Sequence, residues 1–390
     1  MKKSFLHLIG LLMVASLLAG ACSAPAECSD PLGCVSVGSG ENIKIAVLVT
    51  LSGPDSPYGI DALRGVEIAV AEKQKILGHP IELVQVDDKC TPLGGYEGAE
   101  QIAADPSIVG VIGATCSGAT AAAAPALSQV GLTTISPSST APSLTAEEEH
   151  QAGFFRTIYN DKAQGKAVAQ FVFEVLGMRT MSTIHDGQPY AMQLQAAACE
   201  NFEKLGGDCL GRFEIETGSD ISAKMFWLSK LKTEILYFPV YSVDGHAILE
   251  KVAEYKISSA LISSDGLLGT DFIQQNQEMT RGMYLSGPKD LESPDFEKQY
   301  VSRYGEAPIA SFHLQAYDAA NLLFAAIEKA AASRAGALSI PRQALRNEVA
   351  ATRGMNGLSG ILTCSPLGDC AEALITIYQV RDAAFHPIYP

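Results

Sequence analysis

Six turns in the sequence carry small hydroxyl residues or a tyrosine, each directly after a short apolar run. They read TLSGPDSPYG, ATCSGAT, ISPSSTAP, HDGQPY, PVYSVDG and ISSDGLLG. Ser and Thr beside the free N–H groups of a starting helix can bind a carboxylate through hydrogen bonds and the field of the helix. At any single turn, such residues more often serve only as helix N-caps. Six of these turns along one chain favour a shared ligand-binding cleft.

The same turns give little support for catalysis. GATCSGA looks like a nucleophile elbow, but Thr115 stands where G-x-S-x-G requires its first glycine. Ser229 and Lys232 match S-x-x-K without the S-D-N and K-T-G motifs that accompany it in β-lactamases. The seven histidines form no H-E-x-x-H motif or zinc-like cluster. We therefore predict a binding protein with no cofactor or metal, and keep an esterase that uses Ser117 and His185 as an alternative.

The N-terminus has the composition of an export signal. Two lysines precede an apolar run from Phe5 to Ala19, and small residues then lead to Cys22 in the sequence LAGAC. The run is too short for a membrane span, and its exit resembles the bacterial lipobox, in which the cysteine is lipidated. We predict a signal peptide over 1–21 and a lipidated, flexible tether over 22–42, rich in Ser, Gly and Pro. The alternative is an ordinary signal cut at the Ala-x-Ala motif, which would leave Cys22 as a spare thiol.

The charge balance limits the possible partners. The formal net charge is −15, and no basic patch is evident, so repulsion from phosphate argues against a nucleic-acid partner. No other apolar run approaches the roughly 18 residues of a membrane span. We therefore expect an exported protein, periplasmic or on the cell surface, that contacts the membrane only through the lipid on Cys22.

The cysteines indicate disulfides rather than a metal cluster. Lipidation of Cys22 leaves eight of the nine, an even number typical of disulfides in an exported protein. Neighbours in sequence suggest the pairs Cys28–Cys34, Cys199–Cys209 and Cys364–Cys370, which would leave Cys90 and Cys116. Eight cysteines permit many other pairings, so composition alone does not choose. The first and third pairs each enclose five residues, against about two to four in structural zinc pairs.

The body of the chain alternates short apolar runs with longer amphipathic ones. IKIAVLVTL, IELVQVDD and IVGVIGATC are nearly continuous apolar runs of strand length, and the pattern restarts at TMSTIHDG. Continuous apolar strands separated by helices indicate parallel sheets covered on both faces. The chain is also longer than the roughly 250 to 300 residues at which one core stops growing. We predict an α/β protein with two doubly wound parallel-sheet lobes.

A set of segments in fixed order carries a family resemblance. They are IKIAVLVTLSGPDSPYGIDALRG, VQVDDKCTP, VGVIGATCSGAT, TISPSSTAPSLT, FFRTIYNDKAQG, HDGQPYA and a closing GLSG with GDCAEALITIYQV. Together they resemble the leucine/isoleucine/valine-binding protein family, the type I periplasmic solute-binding proteins of branched-chain amino acid ABC transporters. The resemblance extends from about Ile43 to the C-terminus.

The resemblance implies how the two lobes are built and joined. Three crossover strands should join them, with crossings near Tyr159, Ser286 and Glu372. One lobe should comprise 43–159 plus 288–371, and the other 160–287 plus 372–390. The resemblance also implies a disulfide between Cys90 and Cys116. The lobes would close on the solute, and the membrane permease would recognise the closed form.

Individual site residues are also implied by the resemblance. Ser117, helped by Thr140, takes the place of the serine that binds the ligand α-carboxylate. Ser138 offers its backbone carbonyl to the α-ammonium, and Asp265 stands where an acidic residue pairs with that ammonium. The implied aromatic walls are Tyr58 in the first lobe and Tyr190 and Tyr241 in the second.

Two of these positions depart from the family pattern. Asp265 replaces a glutamate, which moves the charge by roughly 1.5 Å on ordinary covalent geometry. A water could bridge this gap, or the ligand could differ. Ser138 replaces an alanine-type residue and adds a hydroxyl that could make one more contact. Both changes leave the side chain of the ligand open. A ligand without a positive group would be repelled by Asp265, so an amino acid is favoured over a simple acid.

The sequence thus predicts a monomeric lipoprotein that captures an amino acid, branched-chain or a similar small zwitterion, for an ABC importer. Its partners would be this small-molecule ligand and the transporter permease. Two alternatives remain open. One is a ligand-sensing module of the same fold, and the other is a binder of another small solute such as an amide, urea or aromatic acid.

Overall fold

The first lobe begins with alternating strands and helices. The structure, a computed structural model, describes residues 28–390. The elements of this part are β1 (Cys34–Val37), β2 (Ile43–Val49), α1 (Ser56–Lys73), β3 (Lys75–Ile76), β4 (His79–Asp87), α2 (Pro92–Ala103), β5 (Ile108–Gly113), α3 (Ser117–Gln129), β6 (Thr134–Ser136) and β7 (Phe154–Arg156). A six-stranded sheet runs in the order β3-β4-β2-β5-β6-β7 and is parallel except for the short β3.

The second lobe repeats this pattern. Its elements are α4 (Asp161–Gln170), which continues into a π-helical turn, β8 (Thr180–His185), α5 (Pro189–Lys204), β9 (Asp208–Glu214), α6 (Ser222–Leu231), β10 (Ile235–Tyr237), α7 (Ser242–Glu254), β11 (Ala260–Ser263), α8 (Thr270–Gln275), α9 (Gln277–Thr280) and β12 (Tyr284–Pro288). The strands from β8 to β12 pair in parallel.

The chain then returns to the first lobe and ends in the second. The returning elements are α10 (Pro294–Tyr304), α11 (His313–Ala330), β13 (Ala332–Arg334), β14 (Ala337–Pro341), α12 (Arg342–Ala350), β15 (Met355–Asn356) and β16 (Ile361–Leu362), and the last are β17 (Ile375–Arg381) and β18 (Ala384–Tyr389). The last two strands extend the second sheet antiparallel beside β12.

The predicted fold class is confirmed. Each sheet has apolar clusters on both faces, so each lobe is doubly wound. In the first, α1 and α11 cover one face and α2 and α3 the other. In the second, α6 and α7 lie opposite α4 and α5. The chain passes between the sheets three times, after β7, after β12 and before β17.

Local sequence sets several helix starts. Proline occupies the first or second position of α1, α2, α5 and α10, where the missing N–H would have had no partner within the helix. Thr91 caps α2 by accepting a hydrogen bond from Gly94 N at 2.9 Å. Asn160 caps α4 in the same way from Lys162 N at 3.0 Å. The starts of α1, α2, α4 and α5 lie at the ends of the sheets where the lobes meet.

All four predicted disulfides are present. Cys28–Cys34 and Cys364–Cys370 close short loops, Cys199–Cys209 joins α5 to β9, and Cys90–Cys116 joins the start of α2 to the start of α3. The last pair connects two segments that lie at the junction between the lobes.

The flexible tether predicted over 22–42 is wrong for its later part. Residues 34–37 form β1, which pairs antiparallel with β14, and Val35 and Val37 are buried in the first-lobe core. The pairing occurs because CVSV alternates apolar and polar residues, as a half-buried strand requires. The predicted signal peptide, Cys22 and residues 23–27 lie outside the described residues. Within 28–390, no helix is long and apolar enough to cross a membrane.

Replacing Val35 by Ala tests whether β1 belongs to the folded core. We expect the free energy of unfolding to fall by about 1–3 kcal/mol, because two buried carbons are lost and a cavity remains. Chemical denaturation of the oxidised protein measures it. The neighbouring Ser36 is exposed, so Ser36→Ala is a matched control and should stay within about 0.5 kcal/mol of the parent. Equal stability of the two variants would contradict the packing of β1.

Candidate functional site

A small cavity lies between the two lobes, at the carboxyl ends of their parallel strands. Its enclosed volume is only ≈ 10 Å³. That is about the room of one water molecule. A larger ligand therefore enters only when side chains or lobes move apart. The cavity is lined by Tyr58, Thr115, Cys116, Ser138, Tyr190, Tyr241, Asp265, Gly266 and Phe312.

Five of the seven predicted ligand-binding residues line this cavity, and two do not. Ser117 and Thr140 are buried behind the lining. Ser117 Oγ accepts a hydrogen bond from Ala141 N at 3.2 Å, which leaves its own hydrogen free for another acceptor. Thr140 Oγ1 and Asp161 Oδ2 are joined by a hydrogen bond of 3.0 Å. Of the two hydroxyls implied to bind the carboxylate, that of Ser117 thus has a free hydrogen, whereas that of Thr140 is already bonded to a carboxyl group. The five that line the cavity are Tyr58, Ser138, Tyr190, Tyr241 and Asp265.

The first-lobe wall is held from behind by a buried carboxylate, Asp88. Its oxygens accept hydrogen bonds from Thr50 Oγ1 at 2.5 Å, Thr115 N at 2.7 Å and Cys90 N at 2.8 Å. Burial raises the pKa of Asp88 despite these donors. One side chain thereby joins the ends of β2, β4 and β5, so the start of α3 is fixed relative to the sheet.

The turn that carries Ser138 and Thr140 is held by a fully buried arginine. Arg156 Nη1 donates to the carbonyls of Ser139 and Ala141, each at 3.0 Å, and its Nε donates to Asp369 Oδ1 at 2.6 Å. Asp369 belongs to the loop closed by the disulfide Cys364–Cys370. The loop CSPLGDC therefore presents a carboxylate to the arginine that shapes the cavity wall.

The extra hydroxyl at Ser138 makes an internal contact. Its Oγ donates to the carbonyl of Thr115 at 2.7 Å, which joins the turn after β6 to the turn after β5. In this arrangement the hydroxyl hydrogen is not available to a ligand. The departure from the family pattern at this position stiffens the wall and adds no further donor to the cavity.

Asp265 forms the second-lobe wall and is held by two donors. Its Oδ1 accepts hydrogen bonds from Tyr190 Oη at 2.7 Å and from Gln164 Nε2 at 2.9 Å. Gly266 N donates to the same tyrosine oxygen at 3.0 Å. The ring of Tyr190 lies 5.0 Å from that of Tyr241. Burial raises the pKa of Asp265, and the two donors offset only part of that rise. A positive group brought beside it would favour its ionised form.

The lobes are in contact across the cleft. Tyr58 Oη of the first lobe donates to the carbonyl of Gly266 in the second at 2.8 Å. Farther out, Ser242 N donates to Asp55 Oδ1 at 3.2 Å, beside a hollow of ≈ 320 Å³ that shares Tyr58 with the cavity. The ring of Phe312 lies 6.1 Å from Tyr58. Tyr58 therefore separates the inner cavity from the mouth of the cleft.

Several residues that build the site are not among those predicted from the sequence. Phe312 lines the cavity, Gln164 orients Asp265, and Asp161 bonds to Thr140. Asp161 and Gln164 stand in the quoted segment YNDKAQG, where they could be taken for helix-start residues. Their spacing of three places both on one face of α4. This spacing is the feature by which the sequence could have indicated them as site residues. Phe312 carries no polar group, so the sequence contained no signal that it belongs to the site.

The two residues of the esterase alternative are engaged separately. Ser117 Oγ accepts from Ala141 N, and His185 Nδ1 accepts from Gly187 N at 3.0 Å. Within 28–390, no hydrogen bond joins Ser117 to His185. Burial also lowers the pKa of His185, which weakens it as a base.

A second group of carboxylates surrounds the mouth of the cleft. Asp186 accepts a hydrogen bond from Gln188 N at 2.9 Å, and Thr217 Oγ1 donates to Asp244 Oδ2 at 2.7 Å. Burial, together with the nearby charges of Asp244 and Asp55, raises the pKa of Asp186 to about 6. The mouth is therefore less negative in mildly acidic solution than the number of its carboxylates suggests.

The raised pKa of Asp186 predicts a pH effect on stability. The folded protein holds the proton more tightly than the unfolded chain, so the free energy of unfolding falls as pH rises from about 4 to about 6, by at most about 3 kcal/mol. Asp186→Asn keeps a side chain that can accept from Gln188 N and removes the titration. Denaturation at several pH values should show this decline in the parent and a smaller one in the variant. An unchanged decline in Asp186→Asn would contradict it.

Comparison with known proteins identifies the family. The profile of the periplasmic binding protein family matches residues 42–383. The Leu/Ile/Val-binding protein of Escherichia coli K12 is 26% identical over 268 residues, which cover 67% of this chain and 71% of that protein. The crystal structure of a leucine binding protein from Thermotoga maritima is 25% identical with a TM-score of 0.81, covering 89% of this chain and 97% of that one. A solute binding protein from Rhodopseudomonas palustris in complex with benzoate has the same fold, at 19% identity and a TM-score of 0.76, covering 89% of this chain and 96% of that one. The chain belongs to the periplasmic binding protein family.

Proposed function

We propose that this protein captures a free amino acid, branched-chain or a similar small zwitterion, and delivers it unchanged to the permease of an ABC importer. The observation that carries the proposal is the placement of Asp265 on one wall of the interlobe cavity and Cys116, at the start of α3, on another. The first N–H groups of a helix lack partners within it and attract a carboxylate. A buried carboxylate attracts an ammonium. The two walls suit the two charges of one amino acid.

The relatives support the same class of ligand. The E. coli protein is named for leucine, isoleucine and valine, and the T. maritima protein for leucine. Both names describe binding rather than catalysis, which agrees with the proposal that the ligand is delivered without chemical change. The fold also accommodates benzoate in the R. palustris protein. In this chain, an aromatic acid would bring a second negative charge close to Asp265 without a cation to offset it, so we favour the zwitterion.

Ligand capture would work by closure of the two lobes. We assign 43–159 plus 288–371 to the first lobe and 160–287 plus 372–390 to the second, with hinges near Tyr159, Ser286 and Glu372. The hydrogen bonds between Tyr58 and Gly266 and between Ser242 and Asp55 cross the cleft, so they form only when the lobes meet. In this proposal the permease recognises that closed arrangement, and the receptor acts as a monomer.

Calorimetric titration tests the ligand class. We expect heat from small apolar members of the twenty amino acids, and none from urea, acetamide or benzoate. Asp265→Asn should weaken binding about 10- to 100-fold, because a hydrogen-bonded ionic contact becomes a neutral one. The matched control is Asp318→Asn, a buried aspartate bonded to the backbone of Leu358 and Ser359 in the first lobe, which should leave affinity unchanged. Heat only from benzoate or urea would overturn the amino-acid assignment.

The lipid anchor is a separate part of the proposal. We place it on Cys22, at the end of the lipobox-like LAGAC. A radiolabelled fatty acid supplied to growing cells should label the parent protein and leave Cys22→Ser unlabelled, with the variant protein recovered outside the membrane fraction. Label retained on Cys22→Ser would show that the anchor lies elsewhere.

The alternative of a sensing module predicts that deleting the permease leaves the response to ligand intact.

A further inference from the structure

Two buried carboxyl groups lie together where the lobes join, and only one of them faces the cavity. Asp161 begins α4 and is fully buried, and Asp265 is 2% exposed. One helical turn after Asp161, Gln164 Nε2 bonds to Asp265 Oδ1 at 2.9 Å and to Ser286 Oγ at 3.0 Å. The cavity wall and the start of α4 thus share one polar cluster.

The cluster holds too little positive charge for both acids to be ionised. Arg156 is the nearest cation, and it already binds Asp369 at 2.6 Å and two backbone carbonyls. The other titratable groups around Asp161 are tyrosines from β10, α5 and the segments next to α4 and α7, and burial raises the pKa of every one well above its ordinary value, so they stay neutral. These tyrosines are Tyr159, Tyr190, Tyr237 and Tyr241. Two unpaired negative charges in such a site would be very costly.

The hydrogen bonds indicate which acid keeps a proton. Asp265 receives two donors on one oxygen, from Tyr190 and Gln164, which favour its ionised form. Among residues 28–390, the carboxyl group of Asp161 has a single hydrogen-bond partner, Thr140, and its buried Oδ1 has none. Burial and the charge of Asp265 both raise the pKa of Asp161 well above its ordinary range. The proton of the pair therefore belongs on Asp161.

We propose that protonated Asp161 is a positioning residue, whose O–H donates to Thr140 Oγ1 and so frees the Thr140 hydroxyl hydrogen for the carboxylate of the ligand. The 3.0 Å contact between the two side chains permits either direction of donation. If Asp161 were ionised, it would accept the only hydrogen of Thr140, and that hydroxyl would face a carboxylate with lone pairs alone. The inference rests on the proposed amino-acid function, because it needs a ligand carboxylate near Ser117 and Thr140.

The proton itself can be observed without any ligand. Infrared difference spectra of the ligand-free protein at neutral pH, parent minus Asp161→Asn, should show the C=O stretch of a protonated carboxylic acid. Its absence would overturn the proposal. The result does not depend on which solute binds, so it separates a failure here from a failure of the proposed function.

Binding of L-leucine, or of the amino acid that binds most tightly in the titration series, then tests the positioning role. In Asp161→Asn, the side-chain Nδ2 can donate to Thr140 as the protonated acid does, so the variant should bind within about threefold of the parent. Its affinity should not change as the pH passes through the value at which the infrared band of the parent disappears. Asp161→Ala should lose about tenfold or more. Above the pH at which the band disappears, the affinity of the parent should fall by about tenfold per pH unit.

A control variant and the relative affinities of the two Asp161 variants complete the test of the positioning role. Asp318→Asn should keep the pH profile of the parent, which controls for the loss of a buried aspartate elsewhere. Asp161→Asn binding as weakly as Asp161→Ala, or parental affinity that persists after the band is gone, would overturn the positioning role. If no amino acid binds, the proposed function fails, and the role of Asp161 toward a carboxylate fails with it, while the infrared band still reports the proton.

Discussion

The cavity depends on one buried guanidinium. Arg156 binds Asp369 through Nε and the carbonyls of Ser139 and Ala141 through Nη1, so it joins β7, the turn after β6 and a disulfide-closed loop 213 residues away in sequence. A buried charge is tolerated only when it is paired and hydrogen-bonded, and removing one partner typically costs about 3–5 kcal/mol. The backbone on both sides of Thr140 is thus fixed by a side chain that does not line the cavity.

The second-lobe side of the cavity is organised by the opposite sign of charge. Asp265 is buried almost as deeply as Arg156, but two neutral donors, Tyr190 and Gln164, take the place of a paired cation. Such donors stabilise a carboxylate without neutralising it. Arg156 is therefore paired without a ligand, whereas Asp265 can still accept one positive charge. This difference between Arg156 and Asp265 suits the zwitterion proposed above, in a cavity whose lining has no lysine or arginine.

The sequence predicted what depends on local pattern, and it could not predict what depends on distant contacts. Continuous apolar strands indicated the parallel sheets, and close cysteines indicated three disulfides, because both signals lie within a few residues. The bond between Gln164 and Asp265 joins residues 101 positions apart, and nothing in either segment indicates the other. The composition of 22–42 concealed β1, since the four residues CVSV carry little weight among many Ser and Gly. The similar loops CSDPLGC and CSPLGDC make different contacts. Asp30 accepts hydrogen bonds from the first N–H groups of α12, and Asp369 binds Arg156.

The small cavity and the weak bonds across the cleft together explain how capture can be reversible. The contacts between the lobes include single neutral hydrogen bonds, such as Tyr58 to Gly266, each worth about 0.5–1.5 kcal/mol net. A few such bonds allow opening, which ligand entry requires because the closed cavity has room for about one water molecule. A ligand stabilises closure only by the difference between its affinities for the closed and open forms. In this protein that difference would come largely from Asp265, because a ligand can contact it together with the start of α3 only when the lobes are together.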